Sequence, residues 1–137
     1  MKIVGFNFTK IKGEKYSDNF TELKVNTQID IVDILEIKSD VFKSKENLIA
    51  IKFNYSINYQ EKVANIEFEG NIMLALESKL SKSVINDWKD KKVEDKFRLD
   101  VFNMILRKSN IKALNVEEEL GLPFHFKLPV LKIDNKE

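Results

Sequence analysis

Cysteine is absent from this 137-residue chain, which removes disulfide frameworks, thiol nucleophiles and cysteine-ligated zinc together. Histidine occurs once, at His125, and the four glycines are scattered. Catalysis usually leaves a concentration of histidine, carboxylates or glycine-rich turns, and none is visible; P-loop, dinucleotide and nucleophile-elbow motifs are missing too. Arginine is confined to Arg98 and Arg107, and 23 basic residues are offset by 22 acidic ones to a net charge of +1. A nucleic-acid binder needs a basic surplus to displace counterions, so duplex recognition is disfavoured. No apolar run approaches the roughly 18 residues of a transmembrane helix. The opening MKIVGFNFTKIKGE alternates and carries charge too early for a secretory signal. The expectation is a soluble cytoplasmic protein with no membrane insertion, no metal and no cofactor.

What is present is apolar and regularly spaced. Hydrophobic residues make up 43% of the chain, enough for a packed core. Leu23, Val25, Thr27, Ile29 and Ile31 share one parity, with Glu22, Lys24, Asn26, Gln28 and Asp30 on the other, which predicts a strand with one dry face. Ile49, Ile51, Phe53, Tyr55, Ile57 and Tyr59 repeat the pattern, and it resumes at Ile66, Phe68, Gly70, Ile72, Leu74 and Leu76, so these two runs read as a hairpin. Val4, Phe6 and Phe8 predict a further strand. One-sided alternation points to an antiparallel sheet. The apolar parity switches after Ile31, which predicts a bulge or bend near Ile31 to Asp33. The segments Gly13 to Thr21 and Lys38 to Asn47 read as polar loops that nevertheless carry Tyr16, Phe20, Val41 and Phe42.

From Ser81 onward the period is helical. Val84, Ile85 and Trp88 predict a short helix capped by Ser81 or Ser83, with Lys89, Lys91 and Lys92 suited to its C-terminal end. A longer helix is predicted from about Glu94 to about Asn110. Its polar stripe is Lys96, Asp100, Asn103, Arg107 and Asn110, and an apolar sector of Phe97, Leu99, Val101, Phe102, Met104, Ile105 and Leu106 is wider than one sheet-facing stripe needs. Asn115, Glu118 and Gly121 spell a capping box and a glycine stop for one more short helical turn. Pro123 and Pro129 then bracket an alternating stretch that should lie extended over a surface or along an edge. A single domain over 1–133 with a flexible tail over 134–137 is expected.

The titratable residues favour structural roles. His125, between two phenylalanines and with no acidic cluster beside it in sequence, reads as solvent-facing rather than as a general base. Glu67 and Glu69 alternate with core residues and so belong to a wet face, and Glu117 to Glu119 read as the first turn of a helix, where anionic charge is favoured. The aromatics are more distinctive, because they recur in the polar loops as well as on strands and helices. Apolar surface that a small chain cannot hide marks a partner or ligand surface.

The order of elements, with a long middle hairpin, a short helix carrying Trp88, a long helix and the closing segment GLPFHFKLP from Gly121 to Pro129, resembles the SecB chaperone family. The stretch Val63 to Gly70 and the helix Arg98 to Arg107 look like uncharacterised archaeal relatives of that fold. The resemblance implies an α+β fold, a four-stranded antiparallel sheet covered on one face by a short and a long helix. It also implies an ATP-independent holdase, not an enzyme, built as a homo-oligomer (dimer or tetramer) that binds unfolded or partly folded protein clients in apolar grooves. On that resemblance Gly13 to Thr21 is the crossover between the first two strands and Lys89 to Asp95 the helix-connecting loop. Tyr16, Phe20 and Phe42 are then candidate client contacts, and Phe53, Tyr55, Phe97 and Phe102 candidate groove walls. The alternative is a dedicated module for one partner, such as an antitoxin-specific chaperone or an assembly subunit. SecB chains that serve export are distinctly acidic, whereas this one is neutral, a departure that bears on docking to the secretion ATPase.

Overall fold

The computed structural model describes residues 1–37, 46–60 and 62–133. Four strands, β1 (Lys2–Lys15), β2 (Asn26–Ile37), β3 (Glu46–Asn58) and β4 (Ala64–Glu77), precede two helices, α1 (Ser78–Trp88) and α2 (Asp95–Leu120). The sheet is antiparallel throughout in the order β1-β4-β3-β2, so the first two strands occupy opposite edges and the segment between them crosses the end of the sheet.

The predicted hairpin is β3 and β4. Its register pairs Ile51 with Ile72, Tyr55 with Phe68 and Ile57 with Ile66, which puts one parity of both strands on the covered face. These residues and Leu74 are at most 1% exposed, and Val101 and Ile105 of α2 complete the core above them. Each such side chain contributes about 1.5–3 kcal/mol of burial. Phe53 rests over Gly70, where a Cβ would stand 2.7 Å from the Phe53 ring and 2.6 Å from the Asn7 carbonyl oxygen. The room left by that glycine admits a ring cluster in which Phe53 meets Phe6 and Phe8 at centroid distances of 5.3 and 6.4 Å. The opposite face of the sheet is polar along its middle, and Glu67 lies there in an ion pair with Lys10 at 3.3 Å.

Two local expectations are met, one is met in part and three are corrected. Ile31 faces Phe53 while Asp33 faces Lys52, so Val32 is the extra residue of a bulge at the predicted bend. Gly121 closes α2 at φ 65°, with Gly121 N–H donating to the Glu118 carbonyl and Leu122 N–H to that of Glu117, a Schellman stop. The segment after Pro123 lies outside the sheet, as its prolines require, but bends at His125 and Phe126 rather than running extended. By contrast, β1 runs on through Lys15, two residues past Gly13, because its outward Lys10, Lys12 and Glu14 sit on an edge strand where polar side chains suit both the face and the rim. Neither Ser81 nor Ser83 caps α1. That helix starts directly where β4 ends, with Glu77 at the N-cap, and Ser81 is buried within it. The expected extra turn near Asn115 is the last stretch of α2 itself, which runs unbroken for 26 residues. A capping box needs a non-helical residue at its head, and here the preceding turns continue, carried by buried Phe97, Val101, Ile105, Ser109 and Ala113 at four-residue spacing.

Candidate functional site

Two features stand out around α2: a groove at the β2 edge and a buried polar cluster under the C-terminal segment. The groove has a volume of about 660 Å³ and is walled by Ile29, Ile31 and Val32 of β2, Trp88 at the end of α1, Val93 of the connecting loop and Phe102 of α2. Its form follows from local structure. The bulge pushes Val32 outward to 48% exposure. It also turns Asp33 so that its Oδ1 accepts from the Ile34 N–H at 2.9 Å and from the Trp88 Nε1–H at 3.0 Å. That second bond ties the indole to the sheet edge. Beyond Trp88, Lys91 adopts φ 57°. Lys91 N–H donates to the Trp88 carbonyl and Lys92 N–H to that of Asp87, so α1 ends as α2 does, with a left-handed residue, but a lysine rather than a glycine. The Lys91 ammonium lies 4.5 Å from the centroid of the Trp88 ring.

The polar cluster overturns the solvent-facing reading of His125, whose side chain is only 5% exposed, and the first-turn reading of Glu117, which is fully buried in the last turn of α2. His125 Nδ1 lies 2.8 Å from Glu117 Oε1, and its Nε2 lies 3.0 Å from Asn110 Oδ1 and 3.3 Å from the Tyr55 hydroxyl. The Tyr55 hydroxyl donates to Asn110 Oδ1 at 2.8 Å, and the Tyr59 hydroxyl donates to Glu117 and stands 3.0 Å from the Pro123 carbonyl. Burial first, and the Glu117 carboxylate second, push the Tyr55 phenol well above its ordinary value. Each group finds a partner, as buried polar groups must. The result clamps the C-terminal segment onto the core, and Phe124 and Phe126, either side of His125, remain 42% and 41% exposed. This arrangement is enclosed and holds a chain segment in place, whereas the groove is open.

Of the seven residues proposed from sequence six are described, and among these Phe102 alone lines the groove. Tyr16 is 58% exposed in the β1–β2 crossover, its N–H bonded to the Val63 carbonyl, and Phe20 is partly buried against the core from the same segment. Phe42 lies outside the described residues. Phe53, Tyr55 and Phe97 are core residues at 1%, 1% and 4% exposure, a floor beneath the surface rather than open walls. A strand's dry parity and a helix's most inward stripe go to the core first, and what is left for a groove is the edge. Trp88, Val32, Val93 and the lysines of the connecting loop were missed; the predicted bulge and the position of Trp88 at a helix end were the signals available for them.

No protein-family model matches the chain, and no curated protein does. Among solved structures the chain is similar to the SecB-like chaperone Rv1957 of Mycobacterium tuberculosis, a structure in complex with a ChAD peptide from the Rv1956 HigA1 antitoxin. The match has a TM-score of 0.53 at 12% sequence identity and covers 97% of this chain and 91% of the other. The fold is SecB-like. At that identity the similarity speaks to architecture, a four-stranded antiparallel sheet with two helices in an α+β arrangement. In this chain 16–25 joins the two edge strands and 89–94 joins the two helices, and the groove opens beside the latter. Among the described residues no group of acidic residues and histidine could hold a metal, and no helix is long and apolar enough to cross a membrane.

Proposed function

We propose that this chain is an ATP-independent holdase that takes extended apolar segments of unfolded or partly folded proteins, working as a cytoplasmic homo-oligomer, dimer or tetramer, without catalysis or cofactor. The observation that carries the reading is the open groove in which Trp88, Phe102 and the β2 edge leave aromatic and aliphatic surface uncovered. The SecB-like architecture supports it, as does the peptide held by the structural neighbour. Further apolar surface, Leu99 and Ile111 at 58% and 62% exposure on the outer side of α2, suits subunit contact or client contact. Apolar contact is non-directional, so one groove can serve many segments, with affinity built from area and repetition across subunits. Tyr16 on the crossover offers a further exposed ring for client contact, and Phe20 of the same segment a partly exposed one.

Mixing the protein with a denatured, aggregation-prone substrate tests the reading. Suppressed light scattering at stoichiometric ratios is expected, and unchanged scattering overturns it. Replacing Phe102 and Trp88 by serine should abolish the suppression. Tyr16→Ser should weaken it with little change in melting temperature, because that ring is mostly in water, whereas Phe20→Ser lowers both, since its ring packs on the core. A second reading, a module dedicated to one partner, is favoured by the antitoxin origin of the neighbour's peptide. A pull-down returning one stoichiometric partner, with no effect on general substrates, would select it.

A further inference from the structure

The groove's apolar walls explain affinity for greasy segments in general, but its rim is charged, and the charges do not cancel. Five charged residues line it: Asp30, Lys91, Lys92, Asp95 and Arg98. Asp95 and Arg98 neutralise each other at 3.0 Å. Asp30 alternates with Ile29 and Ile31 on β2, so its carboxylate belongs to the helix-free face, where Gln28 donates to it at 3.1 Å. Asp33, just beyond the bulge, is engaged by the Trp88 indole and the Ile34 amide. Lys91 and Lys92 are thus the cations at the mouth without a carboxylate partner among the described residues. One of them, Lys91, sits over the Trp88 ring.

Lys91 holds φ 57°, a left-handed conformation in which side chains other than glycine, asparagine and aspartate are strained, at a helix stop where glycine is the ordinary choice. Glu22 and Gln60 occupy the same backbone region away from the groove, so what sets Lys91 apart is where its side chain goes. What the strained residue places is an ammonium group against Trp88.

We infer that Lys91 and Lys92 make this groove selective for extended segments in which a carboxylate lies next to the apolar anchor, so that the anchor enters between Trp88 and Phe102 while the acidic side chain pairs with the lysines. The inference rests on the groove being the client site. Complementary charge at a rim sets discrimination and association rate more than total affinity, and it weakens with salt.

Trp88 is the sole tryptophan of the chain, so its fluorescence reports occupancy of the groove directly. Three blocked peptides with one apolar core, flanked by glutamate, glutamine or lysine, would be titrated at low and high salt, with calorimetry alongside. The glutamate peptide should bind about five- to tenfold more tightly than the lysine peptide at low salt, and the ratio should shrink at high salt. In a Lys91→Gly, Lys92→Gln variant the ratio should fall below about twofold. Glycine suits the left-handed backbone, so the variant should keep or raise its melting temperature. Equal binding of the glutamate and lysine peptides to the native protein, or a preference that survives in the variant, overturns the inference and leaves the groove reading standing. If no peptide perturbs Trp88 or releases heat, the groove reading itself fails and the inference with it.

Discussion

Replacing His125 by alanine should detach the C-terminal segment and lower the stability of the whole domain. The imidazole fills the space between Glu117 Oε1 at 2.8 Å and Asn110 Oδ1 at 3.0 Å, with its side chain 5% exposed and that of Glu117 fully buried. Asn110 keeps the Tyr55 hydroxyl, and Glu117 keeps the Tyr59 hydroxyl, so the alanine variant loses one bond to each. A hydrogen bond to a charged group is worth about 1.5–3 kcal/mol, and a neutral one about 1. If the segment stayed put, a buried carboxylate short of one partner would add to the loss; letting the segment lift away admits water and relieves that penalty. A net loss of about 2–4 kcal/mol follows. For a chain of this length that is a fall of about 10 °C in melting temperature. Thermal and urea melts at one fixed protein concentration measure it, since self-association would raise apparent stability. Trypsin cleavage at Lys127 and Lys132 reports the segment separately and should become faster than in the native protein. A variant that melts within about 2 °C of the native chain and is cut no faster would show that the imidazole faces water and that Glu117 is satisfied without it.

Two further outcomes follow from the core. Gly70→Ala places a methyl group 2.7 Å from the Phe53 ring and 2.6 Å from the Asn7 carbonyl oxygen, and since the backbone oxygen cannot rotate away, β1 must shift; a loss of about 1–3 kcal/mol in a urea melt is expected. Tyr55 titrates above its ordinary value of 10.0 in the folded chain. Its neutral form is therefore favoured by folding, so the folded state binds more protons than the unfolded one above that pH. Stability from this group is intact below pH 10.0 and falls as pH rises beyond it, by at most about 1.4 kcal/mol per pH unit. Tyr55→Phe should be less stable than the native protein near neutrality, having left Asn110 with one donor fewer, yet lose less on going to alkaline pH. Equal alkaline slopes for the two proteins would refute the assignment.

Much of the scaffold was legible in the residue order because its signals are local. Period-two alternation marks the wet and dry faces of β2, β3 and β4 without reference to any partner, the change of parity after Ile31 marks the bulge, and Gly121 marks the helix stop. The element order sufficed for a SecB-like reading, and the structural similarity agrees with it. Local signals also misled where context was missing: Asn115 and Glu118 have the spacing of a capping box, but only the helical turns before them decide that no helix begins there.

The tertiary structure alone decided two things. Which apolar residues face an open groove depends on the strand order, which puts β2 at an edge beside the α1–α2 loop, and no periodicity carries strand order. Whether Glu117 and His125 are surface or core depends on tyrosines 58 and 70 positions away in the chain, Tyr59 for the first and Tyr55 for the second. A charged residue reads as exposed until its partners are known, because burial is tolerable only when hydrogen bonds replace the lost water, and those partners are assembled by the fold.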